Sequence, residues 1–145
     1  MEKDIPIIFF NREPVDEDLN RWDKLYYVGA KAKQSGQMQG ELIADYIKNN
    51  PGVDKNGDGR IQYVILEGEM GHQDAIVRTE SVTESMKNNG LQIEKLSMSD
   101  SNWIVLRRKN RMTQLIGQYK NSIELVIANN DAWHSERWTH MKSLV

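Results

Sequence analysis

The sequence predicts an α/β protein: a parallel sheet with helices flanking it in three layers. Two observations predict it. Short β-branched and aromatic runs alternate with helix-length amphipathic segments. The strand-like runs 5–10 and 123–128 are also apolar almost throughout, as parallel strands covered on both faces are. With 145 residues, 39% hydrophobic and 28% charged, the chain suits one globular unit of ordinary size. No apolar run approaches the ~20 residues of a spanning helix, so no membrane insertion is expected. The net charge of -2 carries no electrostatic footprint for nucleic acid. The absence of cysteine excludes disulfides, thiolate zinc sites and cysteine nucleophiles.

Ile5-Pro6-Ile7-Ile8-Phe9-Phe10 reads as a first, buried strand, entered directly from Met1-Glu2-Lys3-Asp4 with no secretory-signal pattern. A loop follows through Asn11-Arg12-Glu13-Pro14 and the acidic Asp16-Glu17-Asp18. Leu25-Tyr26-Tyr27-Val28 is a short strand ending at Gly29. A helix is predicted over 33–49, with Met38, Leu42, Ile43, Tyr46 and Ile47 on one face. Asn49-Asn50-Pro51-Gly52 breaks it. After a polar loop, Ile61 to Leu66 forms a β-branched and aromatic strand. Gly68 to His72 turns the chain into a helix over 74–88, with Ala75, Val82 and Met86 available for a face and Gly90 closing it. Leu91 to Leu96 is a strand, 103–119 a helix carrying Leu106, Met112, Leu115, Ile116 and Tyr119, and Ile123 to Ala128 a final strand. Parallel α/β sheets bind ligands outside the carboxyl ends of their strands. That rule selects 68–78, 97–103 and 129–131.

The loop from Asp54 to Gln62 is the most specific local motif. Asp54, Asn56 and Asp58 supply oxygens at positions one, three and five, and Gly59 stands at six. This is how a calcium loop begins: hard oxygens converge on the ion and the glycine permits the sharp turn. Arg60 would give its backbone carbonyl and Gln62 its amide oxygen. Position twelve is Ile65, inside a strand, so the loop is not an EF-hand and needs a carboxylate from elsewhere. An Asp, Asn and Gly-rich turn without metal is the plain alternative.

The calcium half-loop running into a strand, then Gly71-His72-Gln73-Asp74-Ala75 with Arg78, then Trp103, then Glu124 to Asp131, resembles the bacterial galactose/glucose-binding proteins. These are extracytoplasmic substrate-binding components of sugar ABC transporters that also serve chemotaxis. The segments Phe9 to Pro14 and Tyr26 to Gly29 fit the same family, and the match spans roughly 4–132. The resemblance implies two α/β lobes joined by a hinge, with sugar between them. Residues 1–14 would hold the last strand of the first lobe plus the hinge, 15–132 a partial second lobe, and 133–145 an atypical tail. The chain is thus expected to be an incomplete periplasmic-binding-protein-like fold, extracytoplasmic in location.

Carried over residue by residue, Asp54, Asn56, Asp58 and Gln62 match side-chain calcium ligands, Arg60 a carbonyl ligand, and Glu124 the distant bidentate glutamate. His72, Asp74, Arg78 and Asn130 match hydrogen-bonding positions for galactose or glucose, and Trp103 a stacking position. The resemblance also implies a transporter permease as partner. The chemistry is sensible, because pyranose hydroxyls favour charged hydrogen-bonding groups and the C–H face of a sugar packs on an indole. Read alone, His72 is a surface histidine, Asp74 and Arg78 an ordinary i,i+4 ion pair, and Trp103 a core residue. An enzyme is not expected: His72 and Asp74 have no nucleophile or second catalytic carboxylate beside them. A repressor effector domain would need a DNA-binding helix-turn-helix before the first strand.

After Ala132 the resemblance stops. The tail Trp133 to Val145 does not continue with the family's small-residue helix. Permissible codons for it, read one base out of phase, give Met-Ala-Leu-Gly-Ala, so a single-base deletion is the expectation for its origin. Its apolar residues Trp133, Trp138, Met141 and Leu144 make at best a thin stripe.

Overall fold

The computed structural model describes residues 4–69, 71–100 and 105–129, the side chains of 99–100 and 105–111 excepted. The expected readings of Trp103, Asn130 and the tail 133–145 lie outside the described residues. The architecture is α/β with parallel strands throughout, and it divides into two sheets. β1 (Ile7–Phe10) and β2 (Leu25–Val28) form a two-stranded parallel ribbon. β3 (Ile61–Glu67), β4 (Ile93–Asp100) and β5 (Leu125–Ala128) form the second sheet in the order β4-β3-β5. The division between sheets therefore follows Val28; residues 15–28, expected with the second lobe, share their sheet with β1.

β3 lies at the centre of the three layers, and its residues 61–66 are all buried. Its side chains alternate between two cores. Tyr63 and Ile65 join Ile127 and the helix residues Val82 and Met86, with Ile43 packed against them. Val64 and Leu66 face the other way, onto Met112 and Leu115. The first core is covered by α2 (Ala32–Asn49) and α3 (Gln73–Asn88), the second by α4 (Val105–Tyr119). The expected α3 face of Ala75, Val82 and Met86 is buried as read.

The expected face of α2 packs only in part: Ile43 and Ile47 turn to the core side. Met38, Leu42 and Tyr46 are exposed, while Ala32, Gly36, Gly40, Ala44 and Ile47 are buried. The reason is close approach to α3. A Cβ on Gly36 would stand 2.0 Å from Ser81 Oγ, and one on Gly40 2.5 Å from Ser85 Cβ. Two glycines and two serines let the helix backbones meet, and Ser85 Oγ donates to the Gln37 carbonyl across the contact at 3.0 Å. Met38, Leu42 and Tyr46 are thereby turned outward.

Three further differences complete the comparison. β1, expected as a buried strand, has Ile7, Ile8 and Phe10 exposed, because no helix of the larger sheet's cores covers it. Asp16–Leu19 is a short helix, α1, rather than loop. Its three acidic residues occupy the first turn, where the backbone N–H groups favour negative charge. In β4 the pairing with β3 shifts between Tyr63 and Val64, leaving Leu96 without a strand partner. Tyr119 Oη donates to the Leu96 carbonyl at 2.8 Å.

Candidate functional site

A cleft of about 450 Å³ opens at the carboxyl ends of the central strands. Its lining includes Asn11 and Arg12 from the end of the ribbon, Glu69 and His72 from the β3–α3 turn, Asp74 and Arg78 from the first turns of α3, and Asn129 after β5. Two of the three places selected by the strand-end rule thus converge; the third, 97–103, lies partly outside the described residues.

The turn is local in origin. His72 N–H donates to the Glu69 carbonyl at 3.0 Å, and the His72 carbonyl then accepts the N–H groups of Ala75 and Ile76 as α3 begins. His72 is buried, and Asp74 and Arg78 stand one turn apart on α3. They do not form the ordinary helix ion pair. Arg78 Nη1 donates instead to the Asn129 carbonyl at 2.9 Å, and among the described residues no ion pair joins it to Asp74. Asp74 Oδ1 and Arg78 Nε are buried without a hydrogen-bond partner among the described residues. Leaving such groups unpaired costs about 1–3 kcal/mol each, more when charged. An acceptor and a donor are therefore held ready at the wall of one polar cleft.

Asn129 is a residue that the sequence reading missed. Its side-chain Nδ2 donates to the Ala75 carbonyl at 2.8 Å and to Thr79 Oγ1 at 3.0 Å. It ties the end of β5 to α3 and sets the carbonyl that Arg78 grips. Arg12 and Glu69 were also missed; they form an ion pair of 3.0 Å at the cleft. So was Tyr27, whose hydroxyl pKa is raised first by burial and then by the carboxylates of Asp74 and Glu13, against the opposing charge of Arg78. The strand-end rule selects 129–131 and 68–78 and so covers Asn129 and Glu69 without singling them out, while Arg12 and Tyr27 lie in segments that enter the functional reading only through the family resemblance.

The Asp54 loop lies at the opposite ends of β3 and β5, and hydrogen bonds link Asn56, Asp58, Gln62 and Glu124 there. Gly57 and Gly59 take positive φ values of 71° and 77°, which keep the turn tight. Asp54 accepts the N–H groups of Gly57 and Gly59, Asn56 that of Asp58, and Asp58 that of Arg60. Gln62 Nε2 donates to Asp58 Oδ2 at 2.8 Å. Glu124 reaches in from the entry to β5: its Oε1 accepts Lys55 N–H and its Oε2 accepts Gln62 N–H at 3.0 Å. The Arg60 N–H, aided by the Gln62 and Asn56 amides and opposed by burial, holds the Asp58 carboxyl below its ordinary pKa. Among the described residues no ion pair neutralises Asp54, Asp58 or Glu124, and no three His, Cys, Asp or Glu side chains share one metal-binding point. The donor set is instead mixed: three carboxylates, two side-chain amides and the Arg60 carbonyl. Unneutralised hard oxygens of this kind fit a calcium ion better than a softer metal.

Comparison with known proteins agrees with the fold. A profile described as periplasmic binding protein domain matches residues 1–133. The D-galactose/methyl-galactoside binding periplasmic protein MglB of Haemophilus influenzae is 42% identical over 128 residues, covering 88% of this chain and 39% of its own length. A putative rhizopine-binding protein of Rhizobium meliloti is 27% identical over 128 residues, 88% of this chain and 38% of its own. Among solved structures, an ABC transporter periplasmic solute binding protein from Actinobacillus succinogenes with bound D-allose superposes with a TM-score of 0.75 at 19% identity, over 97% of this chain and 46% of that one. A galactofuranose binding protein gives 0.72 at 22% identity, over 96% and 44%. The chain spans about two fifths of the length of the curated relatives it matches, and all four of these proteins are named as binding proteins rather than enzymes. A matched profile over nearly the whole sequence, a 42% identical relative and a polar cleft at the strand ends lead to one conclusion: this chain belongs to the periplasmic binding protein family.

Proposed function

We propose that this chain supplies one wall of a monosaccharide site in the solute-recognition component of a sugar ABC transporter. The ligand is galactose or glucose, the location periplasmic or otherwise extracytoplasmic, the partner a transporter permease, and chemotaxis a second outlet. The observation that carries the reading is the buried, unpartnered pair Asp74 Oδ1 and Arg78 Nε at a polar cleft. A sugar hydroxyl donates to the first and another accepts from the second, forming charge-assisted bonds that water alone would otherwise have to supply. His72 lies beside them, and the resemblance adds Asn130 as a further polar contact and Trp103 as the stacking surface. The name of the Haemophilus relative, which specifies D-galactose and methyl-galactoside, supports the substrate class.

The second element of the proposal is calcium at the 54–62 loop. Asp54, Asn56, Asp58, Gln62 and Glu124 would hold it with side-chain oxygens and Arg60 with its carbonyl. The ion would supply positive charge between three carboxylates and tie the entry of β3 to the entry of β5. Its role here is structural, since the loop and the cleft lie at opposite ends of the strands. A chain that binds calcium but has lost tight sugar binding is the second reading, favoured by the completeness of the loop.

Titration calorimetry with galactose and glucose tests the first element. Sugar held by one wall lacks hydrogen bonds from a facing lobe, each of about 1.5–3 kcal/mol when charge-assisted. Binding weaker than micromolar is therefore expected, abolished by Asp74→Ala and by Arg78→Ala. No heat from the wild-type chain with either sugar would leave only the calcium reading. A dissociation constant at or below micromolar would overturn the assignment of one wall alone.

A further inference from the structure

We infer that Arg12 is a positioning residue for the sugar wall, acting through Glu69 on His72 and Asp74. Its inference rests on the sugar reading of the cleft. Arg12 Nη2 donates to Glu69 Oε2 at 3.0 Å, and this is the one ion pair among the described residues that joins the ribbon end to the β3–α3 turn. The other two, Arg21 with Asp18 and Lys24 with Asp4, stay within the first 24 residues.

The backbone on each side of the pair is arranged for it. Arg12 N–H donates to the Phe10 carbonyl at 2.8 Å, closing a three-residue turn around Asn11, whose φ is 66°. Such a turn is strained for a residue with a side chain, though asparagine tolerates it better than most. It bends the chain as it leaves β1 so that Arg12 meets Glu69 across 57 residues of sequence. On the other side, the Glu69 carbonyl accepts His72 N–H, and the His72 carbonyl accepts the first N–H groups of α3. Force applied at the Glu69 side chain is thus passed along one turn to His72 and then to the helix start that carries Asp74. Backbone strain beside a ligand cleft is retained where the surroundings hold it and the function uses it.

Both side chains are well exposed, at 61% and 45%. The pair therefore contributes little to global stability but sets the orientation of a short turn. The full chain is compared with Arg12→Ala, Glu69→Ala and the swap Arg12→Glu with Glu69→Arg. Sugar titration by NMR reads affinity, and the His72 ring resonances of the sugar-free protein read the turn itself. Each single variant is expected to weaken galactose or glucose binding about two- to fivefold, the range of an exposed ion pair expressed as affinity. The His72 resonances shift in both singles and return toward wild type in the swap, with affinity. Urea midpoints that stay at the wild-type value show that the variants fold; if Arg12→Ala fails to fold, Arg12→Gln takes its place. Unmoved His72 resonances in the singles, or a swap no better than they are, overturn the inference. A wild-type chain that binds neither sugar overturns the reading of the cleft instead, while the His72 resonances still decide the role of Arg12.

Discussion

The two sheets are built from the same kinds of residue and bury them to opposite degrees. In β3, Val64, Ile65 and Leu66 are inaccessible; in the ribbon, Ile8, Phe10 and Val28 are more than half exposed. Both β1–β2 and β3–β5 are parallel pairs with unbroken register. What separates them is cover. β3 has a strand on each side and helices over each face, whereas among the described residues β1 and β2 have only each other as strand neighbours and only the one-turn helix α1 beside β2. β-branched sequence therefore selects the strand conformation, and the stability of that strand comes from what lies on top of it.

Truncation at matched positions gives the largest test of this contrast. Ile65→Ala is expected to destabilise by about 2–5 kcal/mol, the range for an emptied core position. Ile8→Ala, on the ribbon, should change stability by no more than about 0.5 kcal/mol. Urea denaturation of each variant checks both, and equal losses would mean that the ribbon is covered in solution.

Calcium should sharpen the contrast, because the proposed loop touches only the larger sheet. An ion that binds the folded state alone stabilises it by about 2.7 kcal/mol at a hundredfold excess over its dissociation constant. We expect calcium to raise the melting temperature and to slow hydrogen exchange in β3 and β5 but not in β1 and β2. Asp58→Ala or Glu124→Ala should remove the effect. A melting curve indifferent to a chelator would rule out the calcium site.

The α2–α3 contact supplies a test of intermediate size. A methyl group on Gly40 meets Ser85 Cβ and the Val82 carbonyl, at 2.5 and 2.7 Å. Overpacking of this kind costs about 1–3 kcal/mol, against a helix-propensity gain of about 1 kcal/mol. Gly40→Ala is thus expected to lower the urea midpoint, and Leu42→Ala on the exposed side of the same helix to leave it nearly unchanged. The reverse ranking would show that the apolar face is the packed one.

Acid gives the smallest effect. The folded-state pKa of Asp58 is lowered, so its contribution is present above its unfolded value of 3.8 and fades as pH falls through the lower folded value. Stability of the wild type should drop more steeply than that of Asp58→Asn below about pH 4. Parallel pH profiles for the two proteins would show that the carboxylate is not held by the Arg60 N–H.

Most of the strand and helix order was legible because it depends on local pattern. β3 and the buried face of α3 follow directly from side-chain periodicity. The loop turn was legible because Asp54, Asn56, Asp58 and the glycines that shape it lie within a few residues, whereas Glu124, which accepts the Lys55 and Gln62 N–H groups, came only through the family resemblance. The failures share a cause, which is distance in sequence. The apolar stripe of α2 gives the strongest periodic signal in that helix, yet the pairing of Gly36 and Gly40 with Ser81 and Ser85 decides which side is covered. Nothing local to Arg12 announces Glu69. Asn129 was passed over for its neighbour because the motif does not show that its amide is already committed to α3.

The shift in β4 changes the parity of that strand. Ile93 and Lys95 face the same side as Met98, an odd-to-even step that simple alternation forbids, with Leu96 turned to the α4 core between them. Met98, toward the cleft end of the strand, therefore owes its facing to one extra residue. Tyr119 acts as a frame marker by taking up the Leu96 carbonyl. Deleting Leu96 would let Ser97 follow Lys95 in plain alternation and leave Ser97 and Met98 opposite Val64 and Ile65, so the bulge would be lost without turning the strand over.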